Sequence, residues 1–318
     1  MLRSRLFAPV ALVALALALT GCSSGSGTPA AAVTLPADVV TGFTVPAAKD
    51  KGGSGNPVKI GVVGASNQQF LVLKDAALAE GIHLDIQDFT DYSQLNPALT
   101  SNQLDLNQFQ HIAYLASYNV EKKQDLVPIG ATAIYPLGLY SSKYTATGDI
   151  PAGATVAVPD DQTNQARGLQ VLQSAGLIVL KAGTPSLFGQ VADVDTAASK
   201  VKVTAIQADQ TPRSLDDPNI AAAIINNDYI ADTGISPADA ITQDDAGSPA
   251  AAPFINVWVA RNADKDLPLY AEIVRLAHSD AWNQALLDNS KGTGVLVDKA
   301  PAALQQVLAD AEEQLRTT

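Results

Sequence analysis

The sequence predicts an α/β fold built as two units. Three observations carry that reading. A β-branched run at Val58–Val63 is followed by a helix-length segment and by an alternating run through Ile82, Leu84 and Ile86. This is a strand–helix–strand unit of the kind that opens a parallel sheet. A second α/β unit opens at Thr155–Val158. Two irregular stretches separate the units: Leu126–Tyr140, an apolar run broken at Pro136 and Gly138, and the small, polar Ile241–Pro253. They read as a crossing between the units and a return. A chain of 318 residues, 47% of them apolar, has core enough for one large or two modest domains.

The elements follow in order. Ser66 is positioned to cap a helix from about Gln68 to Glu80, with Gly81 at its end. A short helix over Gln94–Ser101 precedes Asn102–Leu106, which leads into Asn107–Tyr114. In the second unit a loop after Val158 runs into a helix over Thr163–Ala175, closed by Gly176 and buried on its Leu169 and Leu172 side. Val201–Ile206, Ile220–Asn226 and Phe254–Ala260 are further strands. Asp266–Asp288 and Ala302–Leu315 are amphipathic helices, the second presenting Leu304, Val307, Leu308, Ala311 and Leu315 on one face. No internal repeat is present.

The first 21 residues are a leader. Arg3 and Arg5 precede an apolar run, Phe7–Leu19, too short to span a bilayer, and Leu19-Thr20-Gly21-Cys22 resembles a bacterial lipobox. Cys22, the one cysteine, is then the acylated first residue of a lipid-anchored protein on the extracytoplasmic face of the cell membrane. Ser23–Asn56 is rich in Ser, Gly, Thr, Pro and Ala, and reads as a tether. The formal charge of −12 becomes about −14 once Arg3 and Arg5 are removed, so a nucleic-acid partner is not expected. A single cysteine excludes an intrachain disulfide and a multi-cysteine metal site.

Chemistry concentrates in Asn107-Gln108-Phe109-Gln110-His111 and Tyr114, in a chain 5% aromatic. In an extended segment Phe109 and His111 point the same way, and a helix starting near His111 brings Tyr114 to that side. Such a wall suits an apolar or sulfur-containing side chain; equally, the pattern serves core packing. Asn164 and Arg167 lie three apart near a helix start, where exposed amides and a guanidinium fork favour a carboxylate. The alternative is a surface pair between Arg167 and Asp160 or Asp161. Asn226-Asn227-Asp228-Tyr229 and Asn256 sit at strand ends, where open α/β folds bind ligands but where turn residues also gather. His83, His111 and His278 lack metal-ligand spacing, and no nucleophile elbow or phosphate loop occurs. No metal, cofactor or catalytic residue is expected.

Several ordered motifs together resemble the NlpA/MetQ family, the methionine-binding lipoproteins of ABC importers. They are Asp91-Tyr92 with Asn96-Pro97-Ala98-Leu99, Leu104–His111, Val158-Pro159-Asp160 with Thr163-Asn164 and Arg167, Gly176-Leu177-Ile178, Pro212–Asp217, and Ile225-Asn226 with Tyr229. The loop Gly64–Phe70 and the segment from Lys291 depart from the family pattern. The resemblance implies a two-lobed type II periplasmic-binding-protein-like fold with two hinge crossings. Lobe I is then 57–139 plus 252–318 and lobe II 140–251, after the leader 1–21 and the tether 22–56. It implies that Tyr92, Phe109, His111 and Tyr114 surround the ligand side chain. Asn164 and Arg167 hold its carboxylate, and Asn226 with Asn256 orients its backbone. The implied ligand is methionine, with a methionine-containing dipeptide or another apolar amino acid as alternatives, and an enzyme on the same scaffold as the more distant one. The implied partner is an ABC permease, served by a monomer.

Overall fold

The computed structural model describes residues 51–230 and 233–317. The leader, Cys22 and the tether up to residue 50 lie outside the described residues. The elements in chain order are β1 (Val58–Val62), α1 (Gln68–Ala79), β2 (Leu84–Asp88), α2 (Tyr92–Thr100), β3 (Leu106–His111), α3 (Ile112–Lys122), β4 (Leu126–Ala131), β5 (Ala133–Ile134) and β6 (Gly138–Tyr140). Then come β7 (Thr155–Pro159), α4 (Gln162–Ser174), β8 (Lys202–Ile206), β9 (Ile220–Ile225), β10 (Thr242–Gln243), β11 (Asn256–Arg261), α5 (Pro268–Leu276), α6 (Asp280–Asn289), β12 (Val295–Leu296) and α7 (Pro301–Thr317).

Among the described residues two five-stranded sheets form, in the orders β2-β1-β3-β11-β4 and β10-β6-β9-β7-β8. Parallel neighbours need a crossover, and α1 and α2 supply the crossovers between β1, β2 and β3. β11 returns late in the chain and inserts antiparallel between β3 and β4. Its pairing sets Asn256 opposite His111 across the ladder. The chain leaves the first sheet through Tyr135-Pro136-Leu137 and comes back between Gln243 and Asn256. The two crossings are tied together: β10 pairs with β6, and the Leu137 amide donates to Asp244 Oδ1 at 2.8 Å. The fold is the two-lobed periplasmic-binding-protein type.

Strand periodicity explains the cores. Along β11, Trp258 and Ala260 enter the cluster with Ile60, Phe70, Leu73 and Trp282, while Val257 and Val259 enter the opposite one with Leu99, Leu104 and Ile112. Both faces of the strand are buried because helices cover both. α7 closes the second of these clusters with Leu304, Leu308 and Ala311. In the second lobe β9 divides in the same way, Ala222 and Ile224 to one side and Ala223 and Ile225 to the other.

Three local expectations change. The cap position of α1 is Asn67, not Ser66, and no side chain bonds there. The helix expected over Asp266–Asp288 is two: α5 stops at Leu276, and Ser279 starts α6 by accepting from the Trp282 amide at 3.3 Å. The bend lets Tyr270, Ile273, Trp282 and Leu286 all reach one core, a demand that the apolar spacing alone does not reveal. Residues 51–56, assigned to the tether by composition, form a bridged turn in which Gly52 accepts from the His83 amide at 2.7 Å.

Candidate ligand-binding site

One wall of the site grows from the junction of β3 and α3. His111 ends the strand and caps the helix, its Nδ1 accepting from the Tyr114 amide at 3.1 Å. With Nδ1 an acceptor, the neutral ring carries its proton on Nε2 and donates to Asn164 Oδ1 at 3.2 Å. Burial, followed by the nearby Arg167 charge, lowers the imidazole pKa to about 3. A neutral ring with both nitrogens engaged is poorly suited to act as a general base. Phe109 and Tyr114 meet edge to face at 5.7 Å, and Tyr92 from α2 lies 5.6 Å from Phe109. Beneath them Asn96, Asn107 and Gln110 form a closed amide network, with Asn96 Nδ2 donating to Gln110 Oε1 at 2.8 Å and Asn107 Nδ2 donating to Asn96 Oδ1 at 2.9 Å. Buried amides that satisfy one another hold α2 against β3.

The facing wall grows from the start of α4 and the end of β9. Asp161 caps α4 by accepting from the Asn164 amide at 3.0 Å, and both its oxygens accept from Asn164 Nδ2. A carboxylate accepts only, so Asn164 is forced to present Oδ1 to the cleft. There it receives His111 and also Asn226 Nδ2, at 2.9 Å. The chain of roles then leaves Asn226 Oδ1 buried with no hydrogen-bond partner among the described residues. A stranded acceptor of this kind in a cavity wall calls for a donor.

Arg167 lies one turn after Asn164. Its Nε donates to Asp244 Oδ2 at 2.6 Å, and its Nη2 donates to Asp244 Oδ1 at 3.1 Å and to the Tyr135 carbonyl at 2.8 Å. The guanidinium carbon sits 4.3 Å from the Phe254 ring centroid. The surface pair with Asp160 or Asp161 weighed from sequence is therefore replaced by a pair with Asp244, 77 residues away, in the return crossing. The side-on fork is taken up by Asp244, and Nη1 remains without a partner among the described residues.

Tyr92, Phe109, His111, Tyr114, Asn164, Arg167, Asn226 and Asn256 all line one small cavity, about 30 Å³ in volume. Tyr135, Pro136 and Leu137 of the first crossing also line it, as do Gln110, Asn227 and Asp228. The strand-end group places Asn227 and Asp228 where open α/β folds bind ligands, whereas the break at Pro136 marks a crossing and does not identify a cavity wall. Asp228 Oδ2 accepts from the Tyr92 hydroxyl across the cleft at 2.8 Å. The divergent loop Gly64–Phe70 does not line this cavity: the Gly64 and Ala65 amides donate to Asp88, and Phe70 packs in the core.

The model of the NlpA lipoprotein family matches residues 58–297. The D-methionine-binding lipoprotein MetQ of Yersinia pestis is 37% identical over 228 residues, which is 71% of this chain and 82% of the relative. Among solved structures, a nutrient-binding protein from Burkholderia cenocepacia bound to methionine superposes with a TM-score of 0.70 at 35% identity, covering 75% of this chain and 99% of that one. The substrate-binding protein of a methionine transporter from Streptococcus pneumoniae does so at 0.70 and 32%, covering 76% and 95%. With the matched region spanning both lobes and every cavity wall, the chain belongs to the NlpA lipoprotein family.

Proposed function

We propose that this chain is a lipid-anchored extracytoplasmic receptor that captures methionine between its lobes and delivers it to the permease of an ABC importer. After removal of residues 1–21, acylated Cys22 holds the protein at the membrane, and the residues up to 50 join the anchor to the folded part. The aromatic wall of Tyr92, Phe109, His111 and Tyr114 receives the thioether. Arg167 offers Nη1 to the carboxylate, beside Asn164, and Asn226 Oδ1 accepts from the amine, with Asn256 across the cleft. The names of the relatives support methionine as ligand. The observation that carries the reading is the pairing of an aromatic wall on one lobe with a free guanidinium end and a stranded amide oxygen on the other. A ligand touching both walls stabilises the closed state by its differential affinity.

The test is thermal unfolding of a soluble chain starting after Cys22, unfolded and refolded first to strip any bound ligand. L-methionine at 100 times its Kd should add about 2.7 kcal/mol, a rise of roughly 5 °C or more for a domain of this size. D-methionine, Gly-Met and other apolar amino acids rank the alternatives. Arg167→Ala should abolish most of the shift, and it should also lower the ligand-free Tm, since Asp244 loses its partner. No shift with any amino acid or dipeptide sinks the proposal.

A further inference from the structure

We propose that Asp228 is the counter-ion for the ligand's α-ammonium group, and that through it the receptor selects ligands with a free amine. The proposal rests on the cleft being an amino-acid site, and it adds the residue that reads the amine.

Asp228 lies three residues beyond the end of β9, in the same cavity wall as Asn226. It is the one acidic residue lining the cavity among the described residues. Its Oδ2 is held by the Tyr92 hydroxyl at 2.8 Å, which fixes the carboxylate plane, while Oδ1 has no partner among the described residues. The cation in the wall is already matched, because Arg167 is paired with Asp244 at 2.6 Å. The lining therefore carries a neutralised arginine with one free nitrogen and, separately, a carboxylate with no cation beside it.

A carboxylate drawn largely out of water with one hydroxyl donor and no cation beside it is costly to keep charged. Burial accordingly pushes the Asp228 carboxyl up to about 6. A ligand ammonium would offset that cost and would complete the donor-starved Asn226 Oδ1 at the same time. Two acceptors on one strand end and a guanidinium nitrogen on the neighbouring helix match a dipolar ligand bearing both an amine and a carboxylate. A ligand whose amine is removed would leave both acceptors bare. One that is acylated would leave Asp228 without a cation.

The test compares L-methionine with 4-(methylthio)butanoate, which keeps the thioether and carboxylate but lacks the amine. Calorimetry is done on the mature lipidated protein in detergent, for wild type and Asp228→Asn. The asparagine retains the Tyr92 contact and removes the charge. Wild type should prefer methionine, and the variant should bind methionine about 10- to 100-fold more weakly, with the deaminated compound bound within about threefold of wild type. The preference then collapses. Should the asparagine variant fail to fold, Asp228→Ser carries the same comparison. An undiminished preference in the variant overturns the assignment, and so does equal weakening of both compounds, which marks a structural role. Wild type that binds neither compound refutes the amino-acid reading of the cleft and this proposal with it, whereas wild-type binding with an unchanged variant refutes the role of Asp228 alone.

Discussion

His111 and Asp228 face the same cavity and respond to pH with opposite sign. The folded pKa of His111 is about 3, below the ~6.5 of an unfolded chain. As pH falls between those values the unfolded chain takes up a proton that the folded one refuses. The stability is thus present above ~6.5 and lost on acidification. Asp228 runs the other way. Its folded pKa of about 6 exceeds the ~3.9 of an unfolded carboxyl, so its contribution is present below ~4 and lost as pH rises towards 6. Tyr92, Tyr135 and Tyr229 also face Asp228, but they are hydroxyls that stay protonated throughout this range. Asp228→Asn removes one of the two opposed contributions. Between pH 7 and pH 5, in urea unfolding without ligand, the variant should lose about 1 kcal/mol more than wild type. Equal losses would mean that the Asp228 carboxyl titrates as an ordinary surface group.

Helix starts build the site at the level of elements. α3 begins at His111 and α4 at Asp161, and each capping bond also orients a ligand-facing residue: the His111 tautomer in one case, the Asn164 amide in the other. These caps were partly legible, because a strand running into a helix at His111 and an Asp-rich loop before Asn164 are local patterns. The split between α5 and α6 was not legible, because the apolar spacing continues through it. Ser279 is the residue that enforces it. Ser279→Ala should cost roughly 1 kcal/mol and lower Tm by ~2–4 °C, while Ser279→Asp, an equivalent cap, should hold Tm near wild type. A Tm unmoved by Ser279→Ala would mean that packing of Trp282 alone sets the break.

The whole molecule is held closed by bonds between the lobes. Besides Tyr92 to Asp228, His111 meets Asn164, the Ser117 hydroxyl donates to Gln162 Oε1 at 3.0 Å, and the Tyr229 hydroxyl donates to the Thr90 carbonyl at 3.2 Å. The Tyr92 and Tyr229 rings also pack together, tilted by 45° with their centroids 4.9 Å apart. Tyr92→Phe retains the ring contacts and deletes one bond, worth ~0.5–1.5 kcal/mol. Without ligand its population should shift about 2- to 10-fold towards the open form. Small-angle scattering should then show a larger radius of gyration that returns to the wild-type value at saturating methionine. An unchanged radius in the ligand-free variant would mean that the Tyr92–Asp228 bond does not bias closure.

The alternation along β11 and β9 and the shared side of Phe109, His111 and Tyr114 are properties of the sequence by itself. They depend on a residue and its near neighbours, where strand and helix periods settle which side chains share a face. The partners across the cleft are a different matter. Arg167 takes Asp244 from 77 residues away, Tyr92 takes Asp228 from 136 away, and Tyr135 joins the cavity from the crossing. Periodicity states that a face is buried, not what lies against it. That second choice is made only when the return crossing and the second lobe arrive, so the half-neutralised Arg167 and the uncompensated Asp228 are consequences of tertiary structure alone.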